Sequence, residues 1–169
     1  MRRIIIITGP VNSGKTSYLH RLIASYKQEG YAVGGITAEA LYEEERKIGY
    51  DVCDLISRQC CPLVRSSETS VQKKATEGVQ HVGRFVLLES GLEFTRRCMQ
   101  AAAAVDIVCL DEVGPLEMEG GGHRQVLDTL LRDFNGTLLV VSRDTVSDAL
   151  MLMAEKQGWI AEKQYPSSS

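Results

Sequence analysis

This 169-residue chain has little excess charge of either sign. Its 19 basic and 22 acidic side chains leave it at net −3. Without a basic stripe, no face for nucleic acid is expected. Long apolar runs are missing as well. Arg2-Arg3 followed by Ile4-Ile5-Ile6-Ile7 starts like a signal peptide, but the run gives way to Thr8-Gly9, too short for an export signal. Nothing approaches the roughly 18 apolar residues that cross a bilayer, so no membrane segment is expected and the cytoplasm is the expected location. Cysteine is unpatterned. Cys53, Cys60, Cys61, Cys98 and Cys109 include no C-x-x-C pair, and an odd count without a framework reads as reduced thiols in a cytosolic protein. His20, His81 and His123 are few and far apart, without the spacing of zinc ligands. Aromatic residues make up only 6%, and Trp159, the sole tryptophan, is expected to pack at a core edge rather than to stack on a base.

What is present is concentrated near the start. Gly9-Pro10-Val11-Asn12-Ser13-Gly14-Lys15-Thr16 follows the run Ile4 to Thr8 and opens a helix-like stretch, Thr16 to Gln28. The pattern is Gly-x4-Gly-Lys-Thr between strand and helix, the arrangement of a phosphate-binding loop. A nucleotide's β-phosphate needs several N–H donors converging on one point; the loop amides and the positive end of the next helix supply them. Gly9 and Gly14 allow backbone angles and close approach that a Cβ would block. Lys15 is a point charge for the β- and γ-phosphates, and the Thr16 hydroxyl is the expected Mg²⁺ ligand. The candidate nucleotide-binding set therefore runs from Gly9 through Pro10, Val11, Asn12, Ser13, Gly14, Lys15 and Thr16 to Ser17.

The rest of the chain alternates between strand-length apolar runs and helical stretches. Strands are expected at Ile4–Thr8, Tyr31–Thr37, Phe85–Leu88, Ile107–Leu110 and Thr137–Val141. A hairpin is expected over Ala40–Asp54, with Glu43-Glu44-Glu45-Arg46-Lys47 as its solvated turn. Helices are expected at Thr16–Gln28, Leu92–Ala104, Arg124–Phe134 and Thr145–Lys156. This alternation predicts an α/β fold with a mainly parallel sheet, helices on both faces and a β-hairpin insertion. The length suits one domain over residues 1–169. The polar stretch Cys60 to Gly83 is the least readable part, a candidate loop open between a lid and a partner surface, and Pro166 to Ser169 reads as a frayed tail.

In an open α/β sheet, ligands bind at the carboxyl ends of the strands. The apolar runs here end in the phosphate loop, in Thr37-Ala38-Glu39, in Glu89, in Asp111-Glu112 and in Ser142-Arg143. An apolar strand ending in Asp is the usual partner of a phosphate loop, so Asp111 is the expected Mg²⁺-side carboxylate. Glu112 is the expected base that orients or deprotonates a water for attack on the γ-phosphate. Arg143 is the candidate positive charge on the transferring phosphoryl group. Glu39 and Glu89 are weaker candidates for contact with Mg²⁺ or substrate.

Four blocks carry a family resemblance: Thr8 to Thr16; Gly35-Ile36-Thr37-Ala38-Glu39 with Ile48-Gly49-Tyr50-Asp51; Val82-Gly83-Arg84-Phe85; and Asp111-Glu112-Val113-Gly114-Pro115-Leu116-Glu117. On these the chain resembles the small P-loop nucleoside triphosphatases typified by thermophilic enzymes that hydrolyse several NTPs slowly. The last block is the most specific. The resemblance implies a RecA-like core and Mg²⁺-dependent hydrolysis of ATP, GTP and other NTPs, with Lys15, Thr16, Asp111 and Glu112 in the roles given above. It also draws attention to Glu39, Arg84 and Glu117. The match is better to the shorter bacterial members, because 158–169 lacks the Thr-x-x-Asn-Arg type stretch that longer members carry near the base.

Two other functions fit a phosphate loop. A small-molecule kinase usually carries an arginine-rich lid, and neither Arg96-Arg97 nor Lys73-Lys74 sits in an obvious one. A nucleotide-dependent binding adaptor would not be expected to carry the Asp111 to Glu117 string. Hydrolysis of NTPs fits best, and a protein partner stays open.

Overall fold

The computed structural model describes residues 1–67 and 80–166. Nine strands form one sheet in the order β5-β6-β4-β3-β2-β7-β8-β1-β9. These are β1 (Arg3–Gly9), β2 (Val33–Glu43), β3 (Arg46–Asp54), β4 (Cys60–Ser66), β5 (Gln80–Val82), β6 (Phe85–Leu87), β7 (Ile107–Val113), β8 (Thr137–Arg143) and β9 (Ile160–Gln164). The helices are α1 (Lys15–Gln28), α2 (Glu89–Ala101), α3 (Pro115–Met118), α4 (Arg124–Asp133) and α5 (Asp144–Lys156).

The sheet is mixed. β2, β7, β8, β1 and β9 run parallel, while β3, β4, β6 and β5 continue it by antiparallel pairing. The antiparallel part thus exceeds the expected hairpin. β2 belongs to both halves: Val33–Ile36 pair with β7, and Ile36–Glu43 pair with β3. The hairpin turn is tighter than the sequence suggested. Glu44 and Glu45 have φ of +46° and +64°, as a two-residue turn between right-twisted strands requires. Lys47 is consequently a strand residue opposite Tyr42.

Alternation along β1 divides the core. Ile4 and Ile6 join Leu110, Leu138, Val140, Leu127, Leu131 and Leu150 on the face covered by α2, α4 and α5. Ile5 and Ile7 join Ile107, Leu139, Val141, Leu19 and Ile23 on the face covered by α1. Each buried aliphatic side chain is worth about 1.5–3 kcal/mol, so β1 and its loop rest on a firm base. Trp159 is buried as expected; its Nε1 donates to Leu131 O at 2.8 Å, and the Arg2 guanidinium lies 4.5 Å from its ring centroid.

Two expectations need correction. The reading of all five cysteines as reduced thiols fails for two of them. The turn after β3 folds β4 back so that Cys53 and Cys60 face each other in register, and they form a disulfide with Cα atoms 4.1 Å apart, within reach of such a bond; Cys61, Cys98 and Cys109 are free. The stretch read as a loop begins with β4 and ends with β5, and Lys73-Lys74 lie outside the described residues. The residues before the expected tail form β9, parallel to β1, while Ser167, Ser168 and Ser169 lie outside the described residues. No helix among the described residues is long and apolar enough to cross a membrane.

Candidate active site

β1 ends at Gly9 and α1 begins at Lys15, so the loop between them hangs from the sheet edge. Gly14 caps α1 in the left-handed region at φ +80°, where a Cβ is disfavoured. At Gly9 a Cβ would come 2.8 Å from Ser13 Oγ, closer than packing allows. The first turn of α1 contains no acidic residue and Gly14 offers no side-chain cap. Its free N–H groups make the positive end of a 14-residue helix, suited to an anion. Lys15 Nζ donates to Gly9 O at 3.0 Å and Pro10 O at 2.7 Å, holding its charge over the loop. Partial burial lowers the Lys15 pKa against the opposing pull of Glu112, Asp144 and Asp111. Residues 12–17 form one wall of an open pocket of about 330 Å³, and Ala38, Glu39, Lys47, Tyr50 and Glu112 lie across from them.

β8 lies between β1 and β7, which spaces Asp111 from the loop by about two strand widths, ~10 Å; α1 then brings Thr16 across to it. Asp111 is fully buried. Its Oδ2 accepts from Thr16 Oγ1 at 3.1 Å and from the Ala38 N–H at 3.0 Å. Its Oδ1 is buried with no hydrogen-bond partner. Burial, helped by the nearby Glu112, raises its pKa to about 7. A buried carboxylate with one unsatisfied oxygen beside a threonine hydroxyl fits a hard divalent cation such as Mg²⁺. No cluster of three or more His, Cys, Asp or Glu suited to a metal occurs among the described residues.

Glu112 owes its position to a β-bulge. Leu110 pairs with Val140 and Val113 with Ser142, so Asp111 and Glu112 together oppose Val141. Glu112 adopts φ +69°, a conformation that costs a non-glycine residue about 1 kcal/mol or more and that clusters at functional sites. The result is a buried Asp111 beside a partly exposed Glu112. Glu112 borders both the phosphate pocket and a second, more enclosed cavity of about 190 Å³.

Arg143 ends β8 opposite Gly9 and caps α5. Its guanidinium lines the second cavity rather than the phosphate pocket. Glu117, buried, is committed to the loop after β7: its Oε2 accepts from the Gly114 N–H at 2.8 Å and its Oε1 from the His123 N–H at 3.2 Å. It therefore ties both ends of residues 114–123 behind Glu112, which explains a glutamate five positions after Glu112, and it also lines the second cavity.

The structure brings Lys15, Thr16, Asp111 and Glu112 together, sets Arg143 on the neighbouring cavity and places Glu39 on the pocket wall. Glu39 pairs there with His20 Nε2 at 2.9 Å and accepts from Thr37 Oγ1 at 3.1 Å. Glu89 is a correction. β6 runs antiparallel to β4, so its carboxyl end points away from the site, and Glu89 pairs with Arg96 at 2.6 Å on α2. Arg84 stacks on Phe85 at 4.8 Å and lines neither chamber. Lys47 and Tyr50, which line both, were not singled out. In the sequence Lys47 falls in the expected solvated turn and Tyr50 in the block Ile48 to Asp51.

The chain is similar to several known proteins. The family model described as NTPase matches residues 4–162. The nucleoside-triphosphatase of Methanothermobacter thermautotrophicus is 30% identical over 142 residues, 84% of this chain and 78% of its own length. That of Saccharolobus solfataricus is 25% identical, covering 82% and 75%. That of Methanopyrus kandleri is 29% identical over 116 residues; the match takes in 68% of this chain but only 59% of the relative. The solution structure of a human cancer-related nucleoside triphosphatase superposes with a TM-score of 0.68 at 22% identity, over 96% of this chain and 88% of that one; this likeness is one of fold.

Proposed function

The chain belongs to the NTPase family, whose activity is hydrolysis of nucleoside triphosphates, and from that premise we propose a division of labour for that reaction within the site. Lys15 and the amides of residues 9–17 bind the β- and γ-phosphates. Thr16 and Asp111 hold Mg²⁺, which when bound offsets charge on the phosphates. Glu112 orients a water toward the γ-phosphorus and takes its proton. Arg143 supports the charge of the transferring group from the cavity side. The bulge carries this reading: it lets neighbouring carboxylates in one strand do two jobs, with Asp111 buried against Thr16 and Glu112 turned to the pocket.

All of these contacts are to phosphate and none to a base, so turnover is expected with ATP, GTP and other NTPs alike. We place the enzyme with the cytoplasmic nucleotide pool, where the Cys53–Cys60 bridge is open to reduction. The decisive experiment is Glu112→Gln. Mg·ATP binding is expected to persist while phosphate release falls by ~10²-fold or more. Release at the wild-type rate would remove Glu112 from the role of base.

A further inference from the structure

Resting on the reading of Glu112 as base, we infer that the cavity behind Glu112 receives a second substrate, a small amphipathic alcohol that accepts the γ-phosphoryl group in place of water. Hydrolysis needs room for one water, whose share of volume is about 30 Å³. The cavity holds about 190 Å³, room for more than one water. Its walls are those of a ligand site, mostly apolar with a few polar groups. Leu63, Leu87 and Leu92 form the floor, and Val82 and Phe85 the rim.

An independent observation marks its polar end. His123 lines the cavity and is only 3% exposed, and neither ring nitrogen has a hydrogen-bond partner. A buried imidazole without partners costs on the order of 1–3 kcal/mol. Glu117 does not relieve it, since its carboxylate is taken up by backbone N–H groups. Burial lowers the His123 pKa to about 4, so at neutral pH the ring keeps one donor and one acceptor; both nitrogens are shut off from the cavity in this structure, and a turn of the ring toward a bound hydroxyl or amide would satisfy them. The phosphate pocket and the cavity share Lys47, Tyr50 and Glu112. A molecule seated in the cavity thus borders Glu112, the residue read as the base.

In the reaction the alcohol oxygen forms a bond to the γ-phosphorus, and the bond from that phosphorus to the bridging β–γ oxygen breaks. The bridging oxygen leaves with the electron pair on the nucleoside diphosphate, and the hydroxyl proton passes to Glu112. NTP and alcohol become NDP and a phosphate monoester. Hydrolysis is the same transfer with water as acceptor.

The test uses the whole protein with Mg²⁺ and γ-labelled ATP, and benzyl alcohol, cyclohexanol and 1-hexanol as probes. Ring-labelled histidine reports binding, with the His123 signal assigned by its loss in His123→Gln. At least one probe is expected to shift that signal saturably and to divert label from inorganic phosphate into its phosphate ester. Val82→Trp, which narrows the rim at a residue 44% exposed, is expected to lower the ester-to-phosphate ratio by about tenfold. The inference is overturned if no probe shifts His123 saturably, or if all label appears as inorganic phosphate at saturation. Hydrolysis that survives Glu112→Gln would sink the base assignment separately, because the His123 signal reads binding without turnover.

Discussion

The two halves of the sheet contrast in how they are built and in what they contribute. The parallel half, β2 with β7, β8, β1 and β9, rests on long buried aliphatic runs and presents Gly9, Asp111, Glu112 and Arg143 at its carboxyl edge. The antiparallel half, β3 with β4, β6 and β5, ends in two three-residue strands, has more polar alternation and a disulfide, and it contributes Lys47, Tyr50, Val82 and Phe85 to the cavity. The difference teaches that generic phosphate chemistry sits on the rigid, parallel side, while whatever distinguishes one acceptor from another sits on the other. Glu112 is the seam between them.

Lys15→Ala should show the largest effect, because it strips the phosphate charge from the parallel half. Turnover is expected to fall by at least about 10³-fold, with weaker nucleotide binding. Far-UV circular dichroism should be unchanged. A variant that hydrolyses at a tenth of the wild-type rate would mean that the loop amides and α1 alone carry the phosphate.

The parallel half was also the legible half. The phosphate loop is consecutive in sequence, and Ile4–Thr8, Ile107–Leu110 and Thr137–Val141 are apolar runs buried on both faces, the pattern of a parallel sheet. What was missed depends on pairing. β4 carries Pro62 and charged Arg65, β5 is three exposed residues, and β9 is an edge strand ending Glu162-Lys163-Gln164; none shows a clean period. Glu89 was assigned to the site because an apolar run does not announce its direction, and β6 runs backwards. Lys47 looked like turn solvent because a two-residue turn made of two glutamates has no glycine or asparagine to mark it. The Glu112 bulge was illegible for a deeper reason: it exists only in the register between β7 and β8.

His123 sharpens the comparison through pH. In the unfolded chain its pKa is about 6.5; in the folded protein burial holds it at about 4. Above pH 6.5 both states are neutral there and nothing is lost. Between 6.5 and 4 the unfolded chain takes up a proton that the folded one refuses, so stability falls as pH drops, and the loss levels off below 4. The full loss is about 3 kcal/mol. Asp111, raised to about 7 by burial, moves stability the opposite way over the same range in both proteins, so denaturant melts at pH 7 and pH 4.5 are read as a difference: the wild type should lose more stability, or gain less, than His123→Leu by about 3 kcal/mol. Equal changes in both would mean that the ring is protonated or solvated in the fold.

Cys53→Ser acts on the antiparallel half alone. Opening a crosslink with a sequence separation of seven is expected to cost about 2 kcal/mol while leaving phosphate release within about twofold. Loss of turnover along with stability would tie the far edge of β3 and β4 to the chemistry and erase the contrast.

Arg143→Ala tests the seam, with the smallest expected effect. Arg143 stands on the parallel half but lines the other half's cavity. No hydrogen bond or ion pair among the described residues fixes its guanidinium, and it is exposed. An arginine clamped on the γ-phosphate is worth about 10³ or more in rate; a mobile one approached from the cavity side should give far less. The expected loss is about tenfold in kcat, roughly 1.4 kcal/mol, with little change in KM, since a charge felt only as the phosphoryl group transfers does not hold the ground state. An unchanged kcat would return Arg143 to the surface, and the transferring charge would then rest on Lys15 and the metal alone. A loss of 10³ would put its guanidinium inside the phosphate pocket during turnover, and β8 would have to be counted wholly with the loop.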